Sequence, residues 1–231
     1  MLFYGCLVIT WLALGLGACG SVPPPPAKLT LEERAKLDDS VGASIQQTLG
    51  KNLKRIKAPE VESYLKDMAQ RIASAEPELK GAQFQVTLFH PTPSNDPEGY
   101  AIPRARLFLP VPLLKNARYE NELAALIAFH IGHLARRHLV QRPEGTPVEK
   151  LFAYTDEEQA EAVERGVLLL YGAGYDVRGM NQWLSGINEP EDRKSLLIAR
   201  ARQTQTQLSP LRNPLVRTEA FLNAKRRIQN L

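Results

Sequence analysis

"ENELAALIAFHIGHLARRH", residues 120–138, is the stretch on which the reading of the whole chain turns. It predicts a helix over about 119–139 that carries His130 and His133. Three residues advance a helix by about 300°, so the two imidazoles lie roughly 60° apart on one face. Gly132 beside them allows a facing element to approach closely. Two readings of the pair stand at this point. In one, His130 and His133 chelate a metal, and a carboxylate from Glu157, Glu158 or Glu161 completes three ligands. In the other, His133 is a satisfied core histidine, His130 a partly buried cleft residue and His138 a surface residue near the helix end.

Working outward, Thr30-Leu31-Glu32-Glu33 has the Ser/Thr-x-x-Glu pattern that starts a helix, which runs to about Leu49 before Gly50. In 59–75, "PEVESYLKDMAQRIASA", Pro59 takes a first helical position, and Val61, Tyr64, Leu65, Met68 and Ile72 recur at three and four. "AQFQVTLFH" (82–90) alternates Phe84, Val86 and Leu88 with polar residues, as a half-buried strand does. The turn-rich 91–99 leads to a second strand at Leu107-Phe108-Leu109. Pro110 and Pro112 remove hydrogen-bond donors from one side of that strand, so a free edge is expected there. Helices follow at about 155–172, 177–187, 191–203 and 215–229. Gly174 is expected to end one of them and Asp176 to cap the next. Helices, a small sheet, then helices make an α+β chain.

These blocks together carry a family likeness. "YAIPRARLF" (100–108) stands where one family has a stretch like "FALPGGYIF". "ENELAALIAFHIGHLARRH" stands where it has "EDELAAVLAHEIGHVVARH", and "GVLLLYGAGYDVRGM" (166–180) where it has "GLRLLARAGYDPRAM". From Thr30 to the C-terminus the chain resembles the HtpX and CAAX-prenyl-protease type of zinc metallopeptidase, most closely its small periplasmic LoiP-like lipoproteins. The resemblance implies a mainly helical zincin-like metallopeptidase fold, with a small β-sheet beside the active-site helix. It also implies a zinc site whose helix reads His-Glu-x-x-His, two imidazoles gripping the metal and the Glu activating its water.

Position by position, the chemistry the resemblance implies is altered. Phe129 stands at the first zinc ligand, and a phenyl ring has no lone pair to give. His130 replaces the water-activating Glu. His133 keeps the second ligand. Gln159 falls at the third-ligand Glu, Val163 at a supporting Asp, Asn213 at the His of a His-Pro pair, and Arg104-Ala105 at the Gly-Gly of the substrate-facing strand. Metal candidates are therefore His133, with His130 and Glu158 as further donors. No cofactor is expected, zinc entering only through a rewired site.

The first eighteen residues carry no charged side chain and end in Leu16-Gly17-Ala18-Cys19, which resembles a bacterial lipobox. Residues 1–18 read as a lipoprotein signal peptide, Cys19 as the lipid attachment site, 19–29 as a Pro-rich tether and 30–231 as the metallopeptidase-like domain. With Gly20 after the lipidated position, the outer membrane's periplasmic face is expected. The 29 basic and 25 acidic residues, net +4, are spread along the chain and exclude the clustered stripe of a nucleic-acid binder. The partners expected are the membrane, through the anchor, and envelope proteins or extended peptides. The functional expectation is an outer-membrane-tethered pseudopeptidase that binds or scaffolds envelope proteins. The alternatives are a zinc metalloendopeptidase of envelope quality control and a purely architectural lipoprotein.

Overall fold

The computed structural model describes residues 30–92, 98–143 and 146–231; the expected signal peptide, Cys19 and the 19–29 tether lie outside them, as do 93–97 of the expected turn. In chain order the elements are α1 (Leu31–Asn52), β1 (Lys54–Ile56), α2 (Pro59–Ala73), β2 (Gln85–His90), β3 (Tyr100–Ile102), β4 (Arg106–Pro110) and α3 (Val111–Asn116). There follow α4 (Glu120–Ala135), α5 (Val148–Leu151), α6 (Asp156–Gly172), α7 (Arg178–Leu184), α8 (Glu191–Thr206) and α9 (Glu219–Gln229). The architecture is α+β, helices around one small sheet. Among the described residues no helix is long and apolar enough to cross a membrane.

The sheet runs β1-β2-β4-β3, with β2 and β4 parallel and both outer strands antiparallel to their neighbours. The free edge expected at β4 is not there: β4 lies inside the sheet, between β2 and β3. Pro110 closes the strand opposite Phe89, and Pro112 already sits in the first turn of α3, where a missing N–H costs nothing. The half-buried expectation for 82–90 is also revised. Val86 and Leu88, with Leu107, Leu109 and Ala101, face a core shared with α2, α4 and α6; Phe89, Phe108, Tyr100 and Ile102 face a second one. That second core is completed by Ile45 and Leu49 of α1 and by Leu139 and Leu151. Strands carrying apolar side chains on both faces are covered on both faces.

Local chemistry explains the helix ends. Thr30 and Glu33 form the capping box read from the sequence, each side chain bonding the other's backbone N–H. Gly174, at φ 81°, ends α6, and the Asp176 carboxylate accepts from the Arg178 N–H at the start of α7. Between β3 and β4 both Arg104 and Ala105 adopt positive φ, 69° and 54°. A tight turn of this kind favours glycine, and each non-glycine residue there costs about 1–2 kcal/mol. Arg104 also forms an ion pair with Asp39 of α1 at 2.8 Å.

Candidate functional site

The floor of the site is the contact between α4 and α6. A Cβ on Gly132 would stand 2.4 Å from the Ala162 carbonyl oxygen, and one on Gly166 would stand 3.2 Å from that of Ala128. Each helix therefore meets the other at a glycine, and the backbones lie closer than side chains would allow. This places Gln159, in the first turn of α6, next to the His133 turn of α4.

Phe129 is buried, its ring edge-on to His133 with centroids 4.8 Å apart and packed on Trp183 at 4.9 Å. His130 is buried rather than exposed to a cleft, and its Nε2–H donates to the Glu98 carbonyl at 2.9 Å. Burial pushes its pKa down to about 4, against the opposing pull of that carbonyl. Gly99, at φ 96°, lets the chain pass so close that a Cβ there would stand 3.3 Å from His130 Nε2. His130 thus ties α4 to the entry of β3.

His133 begins a chain of ring contacts. Its Nδ1 lies 2.8 Å from His138 Nδ1, and His138 Nε2 lies 3.2 Å from Glu161 Oε2. The carboxylate fixes the direction: His138 Nε2–H donates to Glu161, His138 Nδ1 accepts from His133 Nδ1–H, and His133 Nε2 is left as a bare acceptor. Burial, then the neighbouring His138 and His130, hold His133 well below the usual imidazole range; the Gln159 amide, which leans towards it, pulls the other way. Among the described residues neither His133 Nε2 nor Gln159 Oε1 has a hydrogen-bond partner.

His138 is 2% exposed, contrary to the surface position expected for it. The sequence could not reveal this, because five residues along a helix put His138 about 140° away from His133. Instead α4 stops at Ala135 and Arg137 turns left-handed, φ 58°, which folds His138 back beneath His133. Asp38 of α1 grips the Arg137 guanidinium with two bonds of 2.9 Å. Tyr154 then stacks on His133 with centroids 3.8 Å apart, and Phe152 packs on Tyr100 of β3 at 4.5 Å. Residues 152–154 bridge the edge strand and the α4 floor. Asp38, Pro103, Arg104, His133, Arg137 and Leu139 enclose about 70 Å³, space for a few water molecules.

The remaining sequence candidates fall differently. Glu158 is the capping partner of Thr155 and is bound by Arg142 at 2.7 Å; burial opposes its charge, but Arg142 and the Thr155 N–H hold its carboxyl below the ordinary value. Glu161 faces His138, and Glu157 pairs with Arg200 at 3.6 Å. Asn213 is not brought to the site. It is exposed, two residues before Leu215, whose backbone bonds Gly174 and Asp176 beyond the far end of α6. Val163 is fully buried.

Zinc does not fit this set. A catalytic zinc takes three protein ligands from His, Cys and carboxylates. Here Phe129 has no donor atom, His130 Nε2 carries the proton it gives to a carbonyl, and the buried acceptors without a partner beside them are His133 Nε2 and the neutral Gln159 Oε1. Nor can a zinc sit between His133 and His138, because two nitrogens at about 2.0–2.1 Å from a tetrahedral ion lie roughly 3.4 Å apart, and these are at 2.8 Å. Among the described residues no group of three His, Cys, Asp or Glu is placed to hold a metal.

The model of peptidase family M48 matches residues 56–160, a span from the end of β1 to the first turns of α6 that includes Phe129, His130, His133 and Gln159. No curated protein matches the chain.

Proposed function

We propose that this chain, whose residues 56–160 match the model of peptidase family M48, is a catalytically inactive peptidase-like protein: a lipoprotein held at the periplasmic face of the outer membrane that binds or scaffolds envelope polypeptides. The observation that carries this reading is the Phe129 ring, packed between His133 and Trp183 at the position where the family resemblance puts the first metal ligand. His130 Nε2, bonded to the Glu98 carbonyl, supports it. The lipobox-like Leu16–Cys19 and the prolines at 23–26 support the tethered placement.

The retained framework supports polypeptide binding. Among the described residues the edge strand β3 pairs with β4 on one side only, and it lies over α4. Phe152 and Tyr154 cover the gap between them, so a peptide that enters there displaces two aromatic side chains and offers its own in exchange. A metallopeptidase-like frame without its ligand set keeps such a groove and loses bond cleavage.

The test uses residues 20–231, fluorescent casein as an unfolded polypeptide, and added zinc or chelator. The account expects saturable binding with the casein recovered intact in both conditions. Cleavage that zinc supports and chelator abolishes would replace this reading with the rewired metalloendopeptidase. Absence of binding would leave the architectural lipoprotein.

A further inference from the structure

The cations of this chain are unevenly partnered. Along the helices most arginines are engaged, Arg137 with Asp38, Arg142 with Glu158, Arg165 with Glu76 and Arg200 with Glu164 among them. Lys51, Lys54, Arg55 and Lys57 differ. All four are exposed, and among the described residues none of their side chains is in a hydrogen bond or ion pair.

Their setting is equally one-sided. They occupy seven consecutive positions where α1 runs into β1, and β1 is an outer strand of the sheet. The β1–β2 ladder holds no carboxylate, since neither 51–58 nor 83–92 contains Asp or Glu. Upstream, residues 40–50 of α1 carry no charged side chain; the exposed ones are Ser40, Ala43, Ser44, Gln46, Gln47 and Gly50. A neutral helix face therefore leads into a dense, unneutralised cationic corner.

We propose that this corner docks on an anionic lipid surface, α1 lying along the bilayer with Lys51, Lys54, Arg55 and Lys57 among phosphate headgroups. Protection of a sheet edge against pairing accounts for cations on the strand itself, Lys54 and Arg55, but not for Lys51 and Lys57 outside it. An acidic peptide added to β1 finds a strand of three residues and few backbone bonds. A plane of negative charge that meets the strand edge-on reaches Lys54 and Arg55, which alternate across it, together with Lys51 and Lys57. Each Lys or Arg near such a surface strengthens binding about five-fold at physiological salt. The contact goes beyond the lipid anchor and does not depend on it, or on the loss of catalysis.

The experiment is sedimentation of residues 20–231, which include every described residue and lack Cys19, with vesicles of phosphatidylcholine alone or with phosphatidylglycerol added. Binding to the anionic vesicles, absent on the neutral ones and weakened as salt rises, is the expected result. The variant Lys51→Gln/Lys54→Gln/Arg55→Gln/Lys57→Gln should lower the partition coefficient by roughly two to three orders of magnitude. The variant Lys66→Gln/Lys80→Gln/Lys115→Gln/Lys150→Gln loses the same charge and should bind almost as the parent does, with thermal melts confirming that both variants fold. Equal losses in the two variants would reduce the effect to net charge and overturn the proposal. So would a lack of anionic-vesicle binding, capture of a polyglutamate peptide in its place, or displacement by inorganic phosphate beyond that by chloride at matched ionic strength, which would mark a discrete phosphate site.

Discussion

Two of the contacts that hold α4 in place are built in different ways. On one side α6 meets it through Gly132 against Ala162 and Gly166 against Ala128, backbone on backbone. On the other, α1 reaches its C-terminal end through Asp38 and Arg137, and the β3–β4 turn through Asp39 and Arg104. Both arginines are left-handed, and α1 itself buries little beyond Gly42, Ile45 and Leu49. The first contact tolerates no added atom. The second has one close approach, where a Cβ on Gly42 would stand 2.8 Å from the Pro103 carbonyl oxygen, and otherwise rests on ion pairs of exposed or partly exposed groups, which are worth little individually. The difference teaches where this fold is fixed: the α4–α6 crossing sets the site's geometry, while α1 is a more easily lifted roof. Chemistry can be replaced at Phe129 and His130 because neither lies on the crossing.

The sharpest way to break the contrast is Gly132→Ala. A Cβ 2.4 Å from a carbonyl oxygen forces the two helices apart, and a loss of about 3 kcal/mol or more is expected in urea denaturation. A cost below about 1 kcal/mol would show the crossing to be loose. Asp38→Ala should cost about 1 kcal/mol globally, yet hydrogen exchange should quicken across residues 31–52 and leave α4 and α6 protected. Uniform quickening would mean that roof and floor unfold together.

Acid should act on the floor. His130 is buried and neutral, its folded pKa, about 4, lying below the ordinary 6.5. As the pH falls below 6.5 the unfolded chain takes up a proton that the folded chain refuses until about pH 4. Stability present above 6.5 is therefore lost across that window, by about 3 kcal/mol for a shift of this size. His133, also held low by burial, acts in the same direction. His130→Gln should flatten part of the slope in a series of melts from pH 7 to 4; an unchanged slope would assign it to other groups. The smallest effect is expected at Ala105→Gly, where relief of φ 54° and loss of a buried methyl group nearly cancel, leaving the variant within about 1 kcal/mol of the parent by thermal melt.

Much of the fold was legible because it is periodic. The Val61–Ile72 spacing specifies α2, the Thr30 box specifies the start of α1, and Gly132 marks a close crossing without specifying its partner. β1 and β3 were missed because three residues cannot display an alternation. Pro110 and Pro112 read as an edge because the sequence does not show that a helix begins at Val111. At the site, the placement of Gln159 near His133 followed from the resemblance. The role of Glu158 was written in Thr155-x-x-Glu158, the same pattern that was read correctly at Thr30. His138, Tyr154 and Glu161 were beyond reach. Their meeting depends on one left-handed residue, Arg137, held from a helix 99 positions away in the sequence.

The most direct measurement of the central claim is the zinc content of residues 20–231, purified without chelator and without affinity-tag histidines. With Phe129 packed on His133 where the resemblance puts the first ligand, and His130 bonded to the Glu98 carbonyl, the account predicts near-zero zinc per chain. It further predicts that Phe129→His/His130→Glu binds zinc poorly until Gln159→Glu is added. One tightly held zinc in the parent chain would contradict it, making His133 and its neighbours a working, rewired metal centre.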